Sequence, residues 1–409
     1  MGEWKEYKIG DICKIKHGFA FKGIHFVDEP QKYVCVTPGN FALKGGFKND
    51  KPKYYNGPIP EDYVLYKDDL VVTMTDLSKN GDTLGYSALI PEDNNYIFLH
   101  NQRIGLIEDI SQEIDKHFLY WVMRTYDYQR YIVGHCSGST VKHTSPSGIG
   151  SYIFRCPDIN TQREISSILD HFENKIAVNK KICENLEAQA QALFKSWFVD
   201  FEPFKDGEFV ESELGMIPKG WRVDNIYRYI DVIYGAPYKS SLFNDEGNGL
   251  PLIRIRDLKT NSPQFYTPEI LPTTEYVEMG DVVAGMDAEF IPYVWLGQKG
   301  VLNQRCCKFK SKNNAISNYY ILFLLKPQLE YVQSYKTGTT VSHLGKSDID
   351  RFKFITPPLD IVVSFSCMVN PMIGELVRRA KESFHLAELR DTLLPKLMSG
   401  EMKVEDVTF

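Results

Sequence analysis

The sequence has little of what usually betrays chemistry or a membrane. Its longest apolar run, Tyr319 to Leu325, is far short of the ~18 residues a membrane span needs. The opening stretch MGEWKEYKIG holds no apolar segment to serve as a signal peptide, and Glu6 stands where an N-myristoylation signal wants Ser or Thr. The eight cysteines (Cys13, Cys35, Cys136, Cys156, Cys183, Cys306, Cys307, Cys367) form no CxxC pair and no Cys/His cluster at zinc spacing. They read as reduced thiols, mostly packed in cores, of a protein with no membrane partner in the cytoplasm. There is no GxxxxGK[ST] phosphate loop and no GxSxG nucleophile elbow. Asn370-Pro371-Met372-Ile373 lacks the second proline and the aromatic residue with which amino-methyltransferases hold a flipped base. The ExK triplets Glu3/Lys5 and Glu6/Lys8 are the commonplace kind found at chain ends. No side of the charge balance dominates either: 53 acidic against 47 basic residues give a net charge of −6. A nucleic-acid partner would therefore need local basic stripes, or a second protein that supplies charge.

What the sequence does have is a duplication. SGSTVKHTSPSGI, Ser137 to Ile149, returns as TGTTVSHLGKSDI, Thr337 to Ile349, with identities at Gly138/Gly338, Thr140/Thr340, Val141/Val341, His143/His343, Ser147/Ser347 and Ile149/Ile349. Trp4 and Gly18 match Trp221 and Gly235. Asp69-Leu-Val-Val matches Asp281-Val-Val, Asn101-Gln-Arg103 matches Asn303-Gln-Arg305, and Cys156-Pro157 matches Thr356-Pro357. The offset falls steadily while the order is kept, which describes a tandem domain repeat with a shorter second copy. The 409 residues suit two or three domains.

After each twin stretch the pattern turns helical. Thr161 to Phe201 contains no Gly or Pro, and apolar residues recur in steps of three and four at Ile165, Leu169, Phe172, Ile176, Leu186, Leu193 and Trp197. The second copy gives Phe365, Val369, Met372, Leu376, Leu386, Leu393 and Leu397, each 200 residues on. Asn179 and Arg379 interrupt the two seams at the same place, as a register-fixing polar residue does. Pro371 predicts a kink or a late start in the second helix. Residues 165–197 as helix span about 50 Å, and a seam that long wants its repeat mate as an antiparallel partner.

The remaining parts read as mixed α/β. YVCVT (33–37), DLVVTMT (69–75), LPLIRIRDL (250–258) and GDVVAG (280–285) have the β-branched runs of strands, and 115–133 and 316–335 have helical spacing. Arg254 and Arg256 alternate with Ile253 and Ile255, so as a strand they would share its outward face. Lys308, Lys310 and Lys312 would do the same. Lys14, Lys16, His17 and Lys22 crowd the first copy's start, and Lys239 follows the equivalent YGAPYK. Such stripes either contact DNA or protect edge strands. The twin SGSTVKHTSPSGI reads first as a turn and cap, with Gly138 making the turn and hydroxyls bonding backbone. A phosphate contact, through Lys142, is the second reading. Catalysis by His143 on Ser139 or Thr140 is the third, and Thr339 stands in place of Ser139 in the twin.

Two longer stretches carry a resemblance. LFKSWFVDFEPFKDGEFVESELGMIPKGW (193–221) resembles the central conserved region of type I restriction enzyme specificity subunits, and LRDTLLPKLMSGEMKV (389–404) resembles their C-terminal signature. WKEYKIGDICKIKHGFAFKG (4–23) and the paired NQR, TVxH and Pro motifs are similar too, so the likeness covers essentially the whole chain. It implies an α+β chain of two tandem target-recognition domains separated by two long antiparallel coiled-coil-like helices. The expected divisions are 1–160 and 221–358 for the domains, 161–201 and 359–400 for the helices, 202–220 for a linker and 401–409 for a tail. It also implies a non-catalytic, prokaryotic, cytoplasmic subunit. Each domain would read one half of a split double-stranded DNA target, and the helices would bind two adenine methyltransferase subunits, joined by restriction/translocase subunits. S-adenosylmethionine, ATP and magnesium would belong to those partners, with no cofactor or metal in this chain. Domains ~50 Å apart would touch major grooves more than one ~34 Å turn apart. The DNA-contact candidates are Lys22, Thr75, Ser78, Lys79, Lys142, Lys239, Arg254, Arg256, Asp287 and Lys308, chosen from stripes and strand ends between the matched motifs. The rival reading is an orphan interaction subunit that binds methyltransferases without directing DNA recognition.

Overall fold

The computed structural model describes residues 4–78, 80–138, 141–336 and 343–407. It resolves into two compact units, Met1–Lys175 with Leu386–Phe409, and Ile176–His385.

In the first unit the strands Lys14–His17, Ile104–Glu108, Leu70–Thr73 and Ser87–Leu89 lie side by side in that order. A second sheet places Tyr54–Tyr55, Tyr33–Val36, Ile97–His100 and Val64–Leu65 in order, with Phe26–Val27 on its edge. The second unit repeats both arrangements. Ile230–Tyr234, Cys306–Ser311, Val282–Gly285 and Pro292–Val294 form one sheet; Phe265–Thr267, Leu250–Ile253, Gly300–Leu302 and Tyr276–Val277 form the other. Each second sheet contains a parallel pair, Tyr33–Val36 with Ile97–His100 and Leu250–Ile253 with Gly300–Leu302. The duplication read from scattered motifs thus extends to strand order and direction. The edge pairing of Phe26–Val27 in the first copy shortens in the second to one antiparallel bridge, Asn244 with Tyr266.

Helices cover one sheet of each unit. Lys116–Val122 and Tyr126–Gly134 occupy the predicted 115–133, as two helices capped by Asp115 and Thr125. Asn318–Lys336 occupies 316–335. Trp121, Phe118 and Tyr128 fill the first core; Tyr319, Tyr320, Phe309 and Phe365 are among those filling the second.

The two long helices run Ile159–Phe198 and Leu359–Ser399. Each follows a short strand that pairs with the start of its own copy: Ile153–Cys156 with Lys5–Lys8, and Lys353–Thr356 with Arg222–Asn225. Pro157 and Pro357-Pro358 then turn the chain into the helix, and the Asp158 side chain accepts from the backbone of Asn160 and Thr161 at the first helix's start. Within the first unit, Ile165 and Leu169 share a core with Leu397, with Leu393 and Leu394 at its margin. Within the second, Asn179 meets Glu382 and Ser383, the Cys183 thiol faces the Leu376 carbonyl, and Phe194 and Phe198 pack on Phe365. Both runs of contacts are antiparallel. The two polar interruptions of the seam touch each other: Arg379 donates to the Asn179 amide oxygen at 3.2 Å, and Asn179 is 1% exposed.

Several expectations need correction. The second helix passes through Pro371 with no late start. The 202–220 linker contains a β-hairpin, Phe209–Ser212 with Gly215–Pro218. The deepest residues at the end of the first helix are Ala190, Phe194 and Phe198, with Leu186, Leu193 and Trp197 only half-buried beside them. This end packs on Asn318–Lys336 as well as on the second long helix, through Tyr320 and Phe323, and so needs a wider apolar face than a two-helix seam. The second long helix also holds an 18-residue window apolar enough by length and composition to span a membrane, longer than the apolar run read from sequence. Val362, Phe365, Val369 and Leu376 of that helix are core residues of the second unit.

Candidate nucleic-acid interface

In each unit four backbone segments are tied together the same way. The first begins at Gly18, or Gly235. A Cβ there would lie 2.1 Å from the carbonyl oxygen of Asn101, or of Asn303, so only glycine allows the approach. Phe19 donates to the His100 carbonyl at 2.9 Å and accepts from Gln102 at 2.9 Å; Ala236 does the same with Leu302 and Gln304, at 2.9 and 3.0 Å. The buried Asn101 and Asn303 then turn back and accept from the backbone of Arg103 and Arg305, at 3.0 and 3.1 Å. Their carboxamides thereby fix an Asx turn whose tip exposes Gln102-Arg103 and Gln304-Arg305. The Arg103 and Arg305 carbonyls accept from Met74 and Met286, whose own carbonyls accept from Thr144 and Leu344. The stretch that occurs twice is therefore the fourth segment of this knot.

Its chemistry is that of a turn and a cap. Gly138 adopts φ +92°, and Ser137 and His143 exchange backbone hydrogen bonds around the turn. Ser145 caps Pro146–Gly150, accepting from Gly148 at 3.1 Å. In the second copy the capping position is Gly345, which has no side chain to accept, and Asp348 within the turn accepts from the Gly345 backbone at 2.8 Å instead. Ile149 and Ile349 are wholly buried. Ser139, Thr140, Thr339 and Ser342 lie outside the described residues.

His143 pairs across to Thr75, its Nδ1 3.2 Å from the Thr75 hydroxyl. At the twin position stands Asp287, whose carboxylate takes His343 Nδ1 at 2.6 Å and Arg305 at 3.1 Å.

The candidate residues divide on this geometry. Thr75 is buried beneath His143. Ser78 accepts from Asp82 and donates its N–H to Asp76. Burial pushes the Asp76 carboxyl up, but donors from Ser78 and Thr83 outweigh it and hold the group below the usual range. Lys142, half-buried, lays its stem against Gly81. Arg254 and Arg256 do not share a strand face, because the strand ends at Ile253 and Ile255–Leu258 make one helical turn. Arg254 folds back on the buried Asp257 at 3.2 Å and covers the Phe265 ring at 4.4 Å, whereas Arg256 is exposed. Lys308 sits on a central strand, only 12% of its side chain exposed, donating to the Tyr276 carbonyl with Asp281 at 3.6 Å. Lys312 is held by Asp231 and the Tyr227 carbonyl, and only Lys310 of that stripe is an exposed strand residue. Lys22 and Lys239 are exposed and stand at the same place, each opening a single 3-10 turn. Lys79 lies outside the described residues. The exposed arginines at the Asx turns were visible in the sequence as repeat landmarks. Nothing in the spacing says that the Asn is buried while the Arg faces out.

Among the described residues no three His, Cys, Asp or Glu side chains are grouped to share a metal ion. Five of the eight cysteines are buried, and burial pushes the thiols of Cys13 and Cys156 up to about 11.

Comparison with known proteins gives the class of chain this architecture represents. A family model described as "Type I restriction modification DNA specificity domain" matches residues 1–188 and again 218–363, once per copy. The chain belongs to that family. It is 30% identical over 308 residues to the type I restriction enzyme MjaIX specificity subunit of Methanocaldococcus jannaschii, covering 71% of this chain and 70% of that one. The type I restriction enzyme HindI specificity subunit of Haemophilus influenzae is 24% identical over 98% of this chain and 100% of its own length. The crystal structure of the type I restriction-modification S subunit from M. genitalium has the same fold, with a TM-score of 0.53 at 16% identity over 97% of this chain and 96% of that one.

Proposed function

We propose that this subunit directs a type I restriction-modification assembly to a split, asymmetric DNA target, each domain reading one half-site. The supporting observation is a common frame carrying unlike surfaces. Strand order, the Gly–Asn knot and the Asx-turn arginine recur in both copies. Thr75 against Asp287 and Lys142 against Ser342 do not recur. Equal frames give equal footing on a duplex, and unequal surfaces read unequal sequences. The exposed Lys22, Lys239 and Arg256, with Lys79, are the base- and backbone-contact candidates that fit this reading. The long helices would offer their exposed faces to two adenine methyltransferase subunits, and restriction subunits would join that complex. Methyl transfer and ATP hydrolysis would use S-adenosylmethionine, ATP and magnesium held by those partners.

The test replaces residues 1–160 with the matching domain of a relative, co-expresses the methyltransferase, and maps methylated adenines across a genome. One half-site should change while the other stays. If both stay, the modular reading fails. If the complex assembles but methylation follows no sequence, the chain is an interaction subunit without a role in recognition.

A further inference from the structure

The two Asx turns present one arginine each, in the same frame, on surfaces that otherwise differ. Arg103 and Arg305 are both exposed. Their backbones are pinned from two sides, by Asn101 or Asn303 at the amide and by Met74 or Met286 at the carbonyl. A side chain that reads sequence should vary between domains that read different sequences. One kept with its whole backbone setting suits a chemistry both half-sites share, and the duplex feature common to all sequences is the phosphate. Guanidinium is the donor that fits phosphate oxygens in a fork.

The two arginines are not equally available. Asp287 takes Arg305 at 3.1 Å and His343 at 2.6 Å with its two carboxylate oxygens. The twin of Asp287 is Thr75, which has no charge and bonds His143 instead. Among the described residues Arg103 forms no ion pair. Two-thirds of the Arg305 side chain is nonetheless exposed (67%), so the pair with Asp287 is a screened, breakable one.

Resting on the DNA-directing role above, we propose that Arg103 and Arg305 are sequence-independent phosphate contacts, one per half-site, and that Asp287 restrains the second until DNA displaces it. The first domain then holds the backbone with a free guanidinium. The second must exchange a carboxylate for a phosphate, so its grip is weaker.

The experiment uses the full chain with Arg103→Ala, Arg305→Ala, Asp287→Asn and the double variant Asp287→Asn/Arg305→Ala. Binding is read by fluorescence anisotropy on a duplex carrying the mapped target and on a scrambled duplex of equal length, over a series of KCl concentrations. Circular dichroism, with Arg103→Lys and Arg305→Lys, checks that loss of affinity is not loss of fold. Each arginine-to-alanine variant should weaken binding to both duplexes by the same factor, roughly threefold to tenfold, and lower the salt slope by about one. The lysine variants, which keep the charge but not the fork, should keep the salt slope and only part of the affinity. Asp287→Asn should tighten binding roughly twofold, and that gain should vanish in the Arg305→Ala background. A loss confined to the target duplex, or no loss, overturns the phosphate assignment. An equal gain from Asp287→Asn with and without Arg305 overturns the restraint. If the wild-type chain does not distinguish the duplexes yet the arginine variants weaken both, the phosphate contacts stand and the recognition role fails. If no duplex binds at the lowest salt, both fail.

Discussion

Arg254 and Arg256 show what two adjacent cations of one motif can do differently. Arg254 neutralises Asp257, which is 1% exposed, so Arg254→Ala should strand a buried carboxylate and cost about 3 kcal/mol in urea unfolding. Arg256 is exposed on the following turn, so its alanine variant should leave stability within ~0.5 kcal/mol. It should weaken discrimination between target and scrambled duplex by ~1–3 kcal/mol if it reads a base edge. Unchanged affinity and unchanged discrimination in Arg256→Ala would remove it from the candidates. The sequence suggested one strand face for both, because Ile253-Arg254-Ile255-Arg256 alternates. Alternation marks a strand only while the ladder lasts, and the ladder here stops at Ile253. Lys308 was legible as a strand residue, but its burial was not, since period two says nothing of what crosses above the strand.

At the scale of the element, the long helices were readable almost to their ends. Forty residues of uninterrupted helix with a seam leave few alternatives, and matched polar breaks 200 residues apart announced the Asn179–Arg379 meeting. What periodicity missed was the second partner of the first helix, which moves the deepest stripe to Ala190, Phe194 and Phe198. The helices also carry a charge junction within the first unit. Glu173 accepts from Arg124 at 2.9 Å and from Arg390, and Arg390 in turn meets Asp391. Burial raises the Glu173 carboxyl, but the two guanidinium groups outweigh it and hold it below the ordinary value of 4.5. A depressed carboxylate contributes stability that is complete above its unfolded value and is lost as pH falls through its folded value. The first unit should therefore loosen below about pH 4.5, and Glu173→Gln should flatten that part of the stability-versus-pH curve. At pH 7 the same variant should cost about 2 kcal/mol. That is less than for a fully buried pair, since 31% of the Glu173 side chain remains exposed. A pH profile unchanged by Glu173→Gln would place the acid sensitivity elsewhere.

For the whole molecule, the repeat was legible and the discontinuity was not. Motifs are compared along the chain, whereas Leu397 is a core residue of the unit that begins at the other end. Leu397→Ala should therefore destabilise the first unit by ~2–5 kcal/mol. Its mark in hydrogen exchange should appear in residues 116–134, far away in sequence, and not in 318–336. The reverse pattern would contradict the division into units. The borrowed end of the helix also sets a timetable for synthesis. A ribosome adding ~5–20 residues per second needs on the order of ten to forty seconds to make residues 176–385. Throughout that interval the nascent first unit lacks Leu397 of its core and the flanking Leu393 and Leu394. The half made first is thus the half finished last, and during that wait it is the part of the newborn chain most in need of a chaperone.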